Sequence, residues 1–183
     1  MIITIGGNLG AGKTTLAARL SRALGYEEWY VGGIMRDMAD EQRMTIEEFY
    51  KRLRHNPELE RSVDERQAQL MREKDDLIVQ GRVAWFFAKG SPFSVFNIFL
   101  AVSPEVGAQR TKQRPENHDA ETIETVAHAN AFRVKLELER YQTLYGIENF
   151  LDPMHYDFVL ETTALTEDDV EQKVLAEIKK RAG

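Results

Sequence analysis

The stretch GGNLGAGKTT, residues 6–15, decides the fold of this chain. Within it, Gly7, Gly12, Lys13 and Thr14 satisfy the phosphate-loop spacing G-x-x-x-x-G-K-[ST]. The apolar run MIITI precedes the stretch and the helical pattern LAARLSRAL follows it, so the motif lies between a predicted strand and a predicted helix. The motif requires this context, and the combination predicts an α/β domain that binds a nucleoside triphosphate.

The residue types of the loop indicate how it holds phosphate. Gly10 and Gly12 allow backbone angles that a Cβ would forbid, so consecutive N–H groups can point into one anion-binding concavity. The helix that begins near Lys13 adds its positive N-terminal end. Lys13 is expected to be catalytic and to reach the β- and γ-phosphate oxygens of ATP, and Thr14 is expected to bind Mg²⁺. The predicted ATP-binding residues are Gly7, Asn8, Leu9, Gly10, Ala11, Gly12, Lys13, Thr14 and Thr15.

Composition and charge restrict the remaining classes of function. The 183 residues, 43% of them hydrophobic, fit one domain covering 1–183. A formal net charge of -6 argues against a nucleic-acid-binding surface, so small-molecule nucleotides are the expected partners. The absence of cysteine excludes disulfides, a thiolate nucleophile and a cysteine-based zinc site. The apolar start is too short to span a bilayer and has no leader-like features, so we expect a cytoplasmic protein without membrane contact. The oligomeric state cannot be read from the sequence.

Apolar runs of strand length alternate with segments of helical periodicity along the chain. This alternation predicts a parallel sheet of about five strands covered on both faces, a three-layer α/β fold. The predicted strands are residues 2–6, 27–32, 77–81, 96–102 and 156–163.

Two helical regions stand out. Residues of about 33–75, between the second and third predicted strands, look wholly helical and predict a helical lobe. A long helix is predicted over about 119–145, with an apolar stripe that should pack on the body of the protein. The stripe consists of Ile123, Ala127, Ala131, Val134, Leu138, Tyr141 and Tyr145.

Four arginines occupy positions suited to phosphate binding. Arg36 and Arg82 follow the second and third predicted strands, and ligands of open α/β sheets bind beyond the carboxyl ends of the strands. Arg110 and Arg114 lie one helical turn apart after the fourth strand. Arginine holds phosphate through paired hydrogen bonds, although each of these side chains could instead be an ordinary solvated charge.

A polar stripe on the long helix predicts a cleft. Asn130, Arg133, Glu137 and Arg140 follow steps of three, four and three, which places them beside the apolar stripe. A polar stripe next to a packed one borders a cleft. The alternative is a solvated i,i+4 ion pair worth only some tenths of a kcal/mol.

Taken together, these residues resemble the cytidylate kinase family of nucleoside monophosphate kinases, in its short archaeal form. Beyond the phosphate loop, the resemblance rests on GGIMRDMA, SVDERQ, the Gly-Arg pair after the third strand, R-x-x-x-R at 110–114, RVKLELERYQTLYGI at 133–147 and YDFVLETT. It covers nearly the whole chain. It implies a P-loop NTPase fold with a helical lobe for the nucleoside monophosphate and a short lid at about 110–120.

The resemblance also implies roles for the arginines. Arg36 and Arg82 would hold the phosphate of the monophosphate, and Arg133, Glu137 and Arg140 would approach the acceptor nucleotide. As catalytic residues, Arg110 and Arg114 would close over ATP. One departure is Gln80, which stands where the family usually has an acidic residue.

The sequence favours a phosphate acceptor over a hydroxyl acceptor. A phosphate monoester is already an anionic nucleophile and needs no general base. Asp37 and Asp64 are candidate bases in the helical lobe, but we expect both to be solvated or capping carboxylates. The favoured function is therefore transfer of phosphate from ATP to CMP or dCMP. The alternatives are a P-loop kinase for another nucleotide or a small hydroxyl metabolite, and a nucleotide-binding regulatory protein without transfer activity.

Overall fold

The computed structural model describes residues 1–53, 56–113 and 122–182 and contains a five-stranded sheet. The strand order is β2-β3-β1-β4-β5, and every neighbouring pair is parallel. The predicted parallel sheet is confirmed, and its central strand leads into the phosphate loop. The strands are β1 (Ile2–Gly7), β2 (Glu27–Tyr30), β3 (Leu77–Gln80), β4 (Val95–Ala101) and β5 (Phe158–Glu161).

Helices connect the strands, and local sequence signals mark several of their starts. Asn56 accepts hydrogen bonds from two backbone N–H groups ahead of Pro57, and Ser103 does the same for one N–H ahead of Pro104. Thr122 caps the long helix. The helices are α1 (Lys13–Leu24), α2 (Val31–Glu41), α3 (Ile46–Leu53), α4 (Pro57–Glu73), α5 (Ala84–Ala88), α6 (Pro104–Lys112), α7 (Ile123–Tyr145) and α8 (Glu167–Ala182), with a 3₁₀ turn at Pro153–His155.

The core lies on both faces of β1, which is buried along its whole length. On one face, Ile3 and Ile5 pack in a cluster with residues of α1 and α8. On the other face, Ile2 packs with Leu77 of β3 and Met71 of α4. Because β1 is covered on both sides, its carboxyl end is fixed at the centre of the molecule.

The helical segment between β2 and β3 has an apolar cluster of its own, formed by Ile34, Met38, Ala39, Phe49 and Val63. Its helical character is confirmed over the described residues, whereas its role as an acceptor lobe stays a prediction. The second strand ends two residues earlier than expected, at Tyr30. Tyr30 pairs with Gln80, the last residue of β3, so the strand ends where its partner ends and α2 begins at once.

The apolar stripe of α7 packs only in its C-terminal half. Tyr141 is buried, and Val134, Leu138 and Tyr145 pack in a cluster with Phe150. In the first half, Ile123 is 44% exposed and Ala131 is also exposed. The expectation was wrong there because this part of α7 packs against α6, with Val126 as its buried residue, and not against the sheet.

The bend from β1 into the phosphate loop depends on Gly7. Its φ is 140°, and an added Cβ would lie 2.3 Å from the carbonyl oxygen of Leu100. We predict that Gly7→Ala lowers the free energy of unfolding by about 2–5 kcal/mol, because steric overlap adds to the backbone strain. Gly25→Ala is the matched control, since Gly25 also has a positive φ but open space around its Cβ position, and it should cost about 1–2 kcal/mol. Equal losses in urea denaturation would contradict the prediction.

Candidate active site

The phosphate loop is built as an anion-binding concavity. Gly10 and Gly12 have φ values of 77° and 89°, in the left-handed region that glycine adopts at low cost. A Cβ on Gly10 would meet the backbone of Gly107 at 2.2 Å, whereas none of the described atoms lies within 4 Å of the corresponding position at Gly12. Gly12 also precedes α1 without a capping side chain. The first N–H groups of α1 are thus available to an anion.

Lys13 and Asn8 hold the loop in shape. The Lys13 ammonium donates to the carbonyl oxygen of Gly7 at 3.0 Å and also to that of Asn8. The Asn8 side chain accepts a hydrogen bond from the Val102 N–H at 3.2 Å, which ties the loop to the end of β4. The predicted catalytic cation therefore lies over the concavity.

Thr14 and Gln80 form the position expected for a metal ion. The Thr14 hydroxyl donates to Oε1 of Gln80 at 2.7 Å. A neutral amide oxygen therefore occupies the site where the resemblance implies a carboxylate. Hydroxyl and amide oxygens are both suitable Mg²⁺ ligands, so the site fits the ion although it has less negative charge than expected.

A cavity of about 470 Å³ opens from the phosphate loop between the end of β3, α2, α4 and α7. Charged side chains of both signs line it. Within the part of the chain that the structure describes, they are Lys13, Glu60, Asp64, Arg82, Arg133, Glu137 and Arg140. The predicted cleft beside α7 is thus present, and three of the four stripe residues face it. Asn130 lines a different, apolar cavity.

Arg82 is the buried cation at the junction of the loop and this cavity. Its guanidinium donates a hydrogen bond to the Gly7 carbonyl at 3.0 Å. Its Nε lies 2.9 Å from Oε2 of Glu137, and the two groups form an ion pair whose geometry is not that of a hydrogen bond. The side chains of Arg82 and Glu137 are 11% and 13% exposed. Burial lowers the pKa of Arg82 and the Glu137 carboxylate opposes that shift. Oε1 of Glu137 accepts a hydrogen bond from Arg133 at 3.0 Å, so one carboxylate holds two arginines.

Arg140 is held from the opposite wall. Its guanidinium forms an ion pair with Glu60 of α4 and lies 5.3 Å from the ring centroid of Tyr141. Its Nε is buried without a hydrogen-bond partner in the described structure. Burial raises the pKa of the Tyr141 hydroxyl to about 12. The α7 stripe is therefore no solvated i,i+4 pair, because its charges connect α7 to α4 and β3.

The expectation for Asp64 was wrong. Asp64 is only 7% exposed and accepts a hydrogen bond from the Tyr145 hydroxyl. Burial raises the pKa of the Asp64 carboxyl. Asp64 lies on the inner side of α4, where it lines the cavity and contacts α7 through Tyr145. The other candidate base, Asp37, is exposed as expected.

Arg36 is not among the residues that line the cavity. The early start of α2 places Arg36 on an exposed helical position, where its guanidinium donates to the Tyr30 hydroxyl and lies 5.5 Å from the ring centroid. Three residues that precede it in sequence, Tyr30, Val31 and Gly32, do line the cavity. The structure therefore brings Arg82 to the loop and leaves Arg36 at the rim.

Arg110 belongs to a second cavity, of about 440 Å³, on the other side of the phosphate loop. Its guanidinium donates to the carbonyl oxygen of Thr162 at 3.0 Å, just after β5. Thr15, Gly12 and Leu165 also line this cavity. The structure thus separates Arg110 from the cavity of Lys13 and Arg82, and Arg114 lies outside the described residues.

The described residues contain neither a cluster of metal ligands nor a membrane-spanning helix. No group of three or more His, Asp or Glu side chains is arranged to hold a metal ion. No helix is both long and apolar enough to cross a membrane.

Comparison with known proteins places the chain in a family. Residues 3–124 match the model of a family described as an AAA domain. The cytidylate kinase of Methanopyrus kandleri is 38% identical over 92% of this chain and 88% of its own length, and that of Methanothermobacter thermautotrophicus is 37% identical over 88% and 95%. The chain belongs to the cytidylate kinase family. The family resemblance in the sequence is thereby confirmed.

A solved structure outside the cytidylate kinase family supports the fold. Shikimate kinase from Acinetobacter baumannii in complex with shikimate superposes with a TM-score of 0.60, at 20% identity, over 98% of this chain and 93% of the other. The predicted P-loop kinase fold is confirmed by this likeness.

Sequence reasoning missed Gln67, Glu60 and the role of Tyr145. Glu60, Asp64 and Gln67 are spaced by four and three residues, which puts them on one face of α4, and all three line the cavity. This spacing was a usable signal. Of the three residues, only Asp64 was a candidate, and the expectation for it was a solvated or capping carboxylate.

We predict that Glu137→Gln lowers the free energy of unfolding by about 3–5 kcal/mol, because it leaves the buried Arg82 guanidinium without its counter-charge. Glu41→Gln is the matched control, since Glu41 pairs with Arg66 at the surface, where both side chains are more than half exposed. That change should cost less than about 1 kcal/mol. Urea denaturation of both variants measures the difference, and a similar small loss in each would show that the Arg82–Glu137 pair contributes little.

Proposed function

We propose that the protein transfers the γ-phosphoryl group of ATP to a nucleoside monophosphate, CMP or dCMP, in the cytoplasm. The proposal rests on the position of Arg82. This buried arginine contacts the phosphate loop and lines the cavity beside it. A cation at this junction suits the place where two phosphorylated substrates meet. The relatives named cytidylate kinase support CMP as the acceptor.

The two cavities divide the substrates between them. The concavity formed by residues 7–15 would hold the phosphates of ATP, and the cavity that contains Arg110 and Thr162 would take the base of ATP. The acceptor would occupy the cavity on the other side of the loop. The predicted lid at about 110–120 lies mostly outside the described residues and stays a prediction, and Arg110 at its start would contact the donor.

The acceptor requires charge neutralisation and alignment. A phosphate oxygen of the monophosphate attacks the γ-phosphorus, the bond from that phosphorus to the β–γ bridging oxygen breaks, and ADP leaves. The attacking oxygen is ionised near neutral pH, so no side chain has to remove a proton. Lys13 would neutralise the transferred group, while Arg82, Arg133 and Arg140 would hold the acceptor. Glu137 would position Arg82 and Arg133.

Thr14 and Gln80 would hold Mg²⁺ through oxygen atoms. When bound, Mg²⁺ supplies further neutralisation of the phosphate charge. The hydroxyl of Thr14 keeps lone pairs for the ion while it donates its proton to Gln80.

An ADP-release assay tests the proposal directly. CMP, dCMP, UMP, AMP, shikimate and no acceptor are compared at fixed ATP and Mg²⁺. Turnover highest with CMP or dCMP supports the proposal. Turnover only with a hydroxyl acceptor would establish a different P-loop kinase, and ATP binding without any acceptor-dependent turnover would establish a regulatory protein.

We predict that Arg82→Ala lowers kcat/KM for CMP by roughly 30-fold or more, equivalent to at least about 2 kcal/mol, because an acceptor phosphate loses its buried partner. The KM for ATP should change far less. Arg66→Ala is the control, since Arg66 is an exposed arginine of α4 outside the cavity. Equal weakening of both substrates would place Arg82 on the donor side.

We predict that Gln80→Glu reduces the Mg²⁺ concentration that gives half-maximal activity by roughly tenfold. A unit negative charge beside a divalent ion is worth more than about 1 kcal/mol at the effective dielectric constant of a protein surface. Titration of Mg²⁺ at constant ATP measures the change, and Mg²⁺-dependent ATP binding measured by calorimetry checks it without turnover. If both the activity titration and calorimetry gave an unchanged Mg²⁺ requirement, residue 80 would not belong to the metal site.

A further inference from the structure

Gln67 is a buried amide whose donor has no partner. It is 2% exposed, and its Nε2 has no hydrogen-bond partner in the described structure. An unsatisfied buried donor costs about 1–3 kcal/mol, so native proteins rarely retain one without a reason. Gln67 lines the acceptor cavity, and a ligand that binds there would supply the missing acceptor.

Asp64 lies one helical turn before Gln67 and lines the same cavity. Tyr145 donates to Oδ2 of its carboxyl group, which fixes the orientation of the side chain. Within the described contacts, Oδ1 stays available as an acceptor. The inner face of α4 thus presents a donor and an acceptor side by side, both held by burial.

The position of this pair relative to the phosphate end indicates what it contacts. The amide nitrogen of Gln67 lies 3.5 Å from the position of a Cβ on Gly81, the residue just before Arg82. Gln67 therefore lies beside the Gly81–Arg82 segment, and the α4 wall carries no positive charge at positions 64 and 67. A neutral, planar, hydrogen-bonding group suits this wall better than a phosphate does.

Apolar side chains also line the cavity. Val63 of α4 is one of them, and Leu53 of α3 and Met35 and Val31 of α2 pack against the same apolar cluster. Pockets for nucleobases combine such apolar surfaces, which cover the ring faces, with a few polar groups at the ring edge.

We propose that Gln67 and Asp64 determine base specificity by reading the edge of the acceptor base, an inference that rests on the proposed function. Cytosine presents an amino donor at N4 next to a ring acceptor at N3, which matches a carboxylate acceptor beside an amide donor. Uracil presents O4 as an acceptor and N3–H as a donor, so both contacts are reversed. The pair therefore selects cytosine over uracil.

The test compares CMP and UMP in the intact protein. Gln67→Glu keeps the size of the side chain but replaces the donor with an acceptor, which repels N3 of cytosine and accepts from N3–H of uracil. We expect the ratio of kcat/KM for CMP to that for UMP to fall by about tenfold or more, since one well-placed polar contact discriminates by at least that factor. The KM for ATP should not change.

Gln69→Glu is the matched control. It makes the same change two residues further along α4, on an exposed side chain that bonds only Glu73 among the contacts seen. Asp64→Asn is the second variant, because it turns the acceptor into a donor for O4 of uracil and should lower the same ratio. A thermal unfolding curve for each variant establishes that it is folded, and Gln67→Met replaces Gln67→Glu if the buried charge prevents folding.

The outcomes separate this inference from the proposed function. An unchanged CMP-to-UMP ratio in folded Gln67 variants, with normal CMP turnover in the wild type, would overturn the role of Gln67 and leave the kinase assignment intact. A ratio that moves toward CMP would overturn it as well, since the amide oxygen would then face the base. If the wild type phosphorylates no nucleoside monophosphate, its binding of CMP and UMP is measured by calorimetry instead. Equal affinities of the wild type for the two nucleotides would overturn the inference.

Discussion

The contact on which the site depends is the ion pair between Arg82 and Glu137, with the hydrogen bond from Arg82 to the Gly7 carbonyl. It joins the ends of β1 and β3 to the middle of α7. Without Glu137, burial would oppose the charge on Arg82, and the guanidinium would have no fixed direction. The same carboxylate holds Arg133, so one side chain of α7 arranges two cations around the phosphate loop.

The fold was predictable because its signals are local. The phosphate-loop spacing, the apolar run before it and the alternation of strands and helices specify the parallel sheet and its central strand. The cleft beside α7 was also predictable, since Arg133, Glu137 and Arg140 repeat at helical spacing beside an apolar stripe. These features are periodic, and periodicity can be read from a single chain.

The features of the site that the sequence did not predict depend on contacts between elements distant in sequence. The exposure of Arg36 follows from the early end of β2, which is set by the end of its partner β3. The burial of Asp64 follows from Tyr145, 81 residues later, whose hydroxyl reaches it. Ile123 is exposed because α6 and not the sheet supports the start of α7. None of these pairings leaves a mark in the local sequence, so Asp64 was expected to be a solvated or capping carboxylate although its spacing from Glu60 and Gln67 marks one face of α4.

Side chains of both charge signs line the cavity beside the phosphate loop. Among the side chains described there, four are cations and three are carboxylates, and the whole chain has a net charge of -6. A cavity lined by cations alone would attract any phosphate, including the abundant inorganic ion. Pairing each arginine of α7 with a carboxylate reduces that general attraction and fixes the direction of each guanidinium. Under the proposed function, binding then draws on the neutral part of the ligand as well as on its phosphate, which gives the proposed base contacts of Asp64 and Gln67 a central part in acceptor selection.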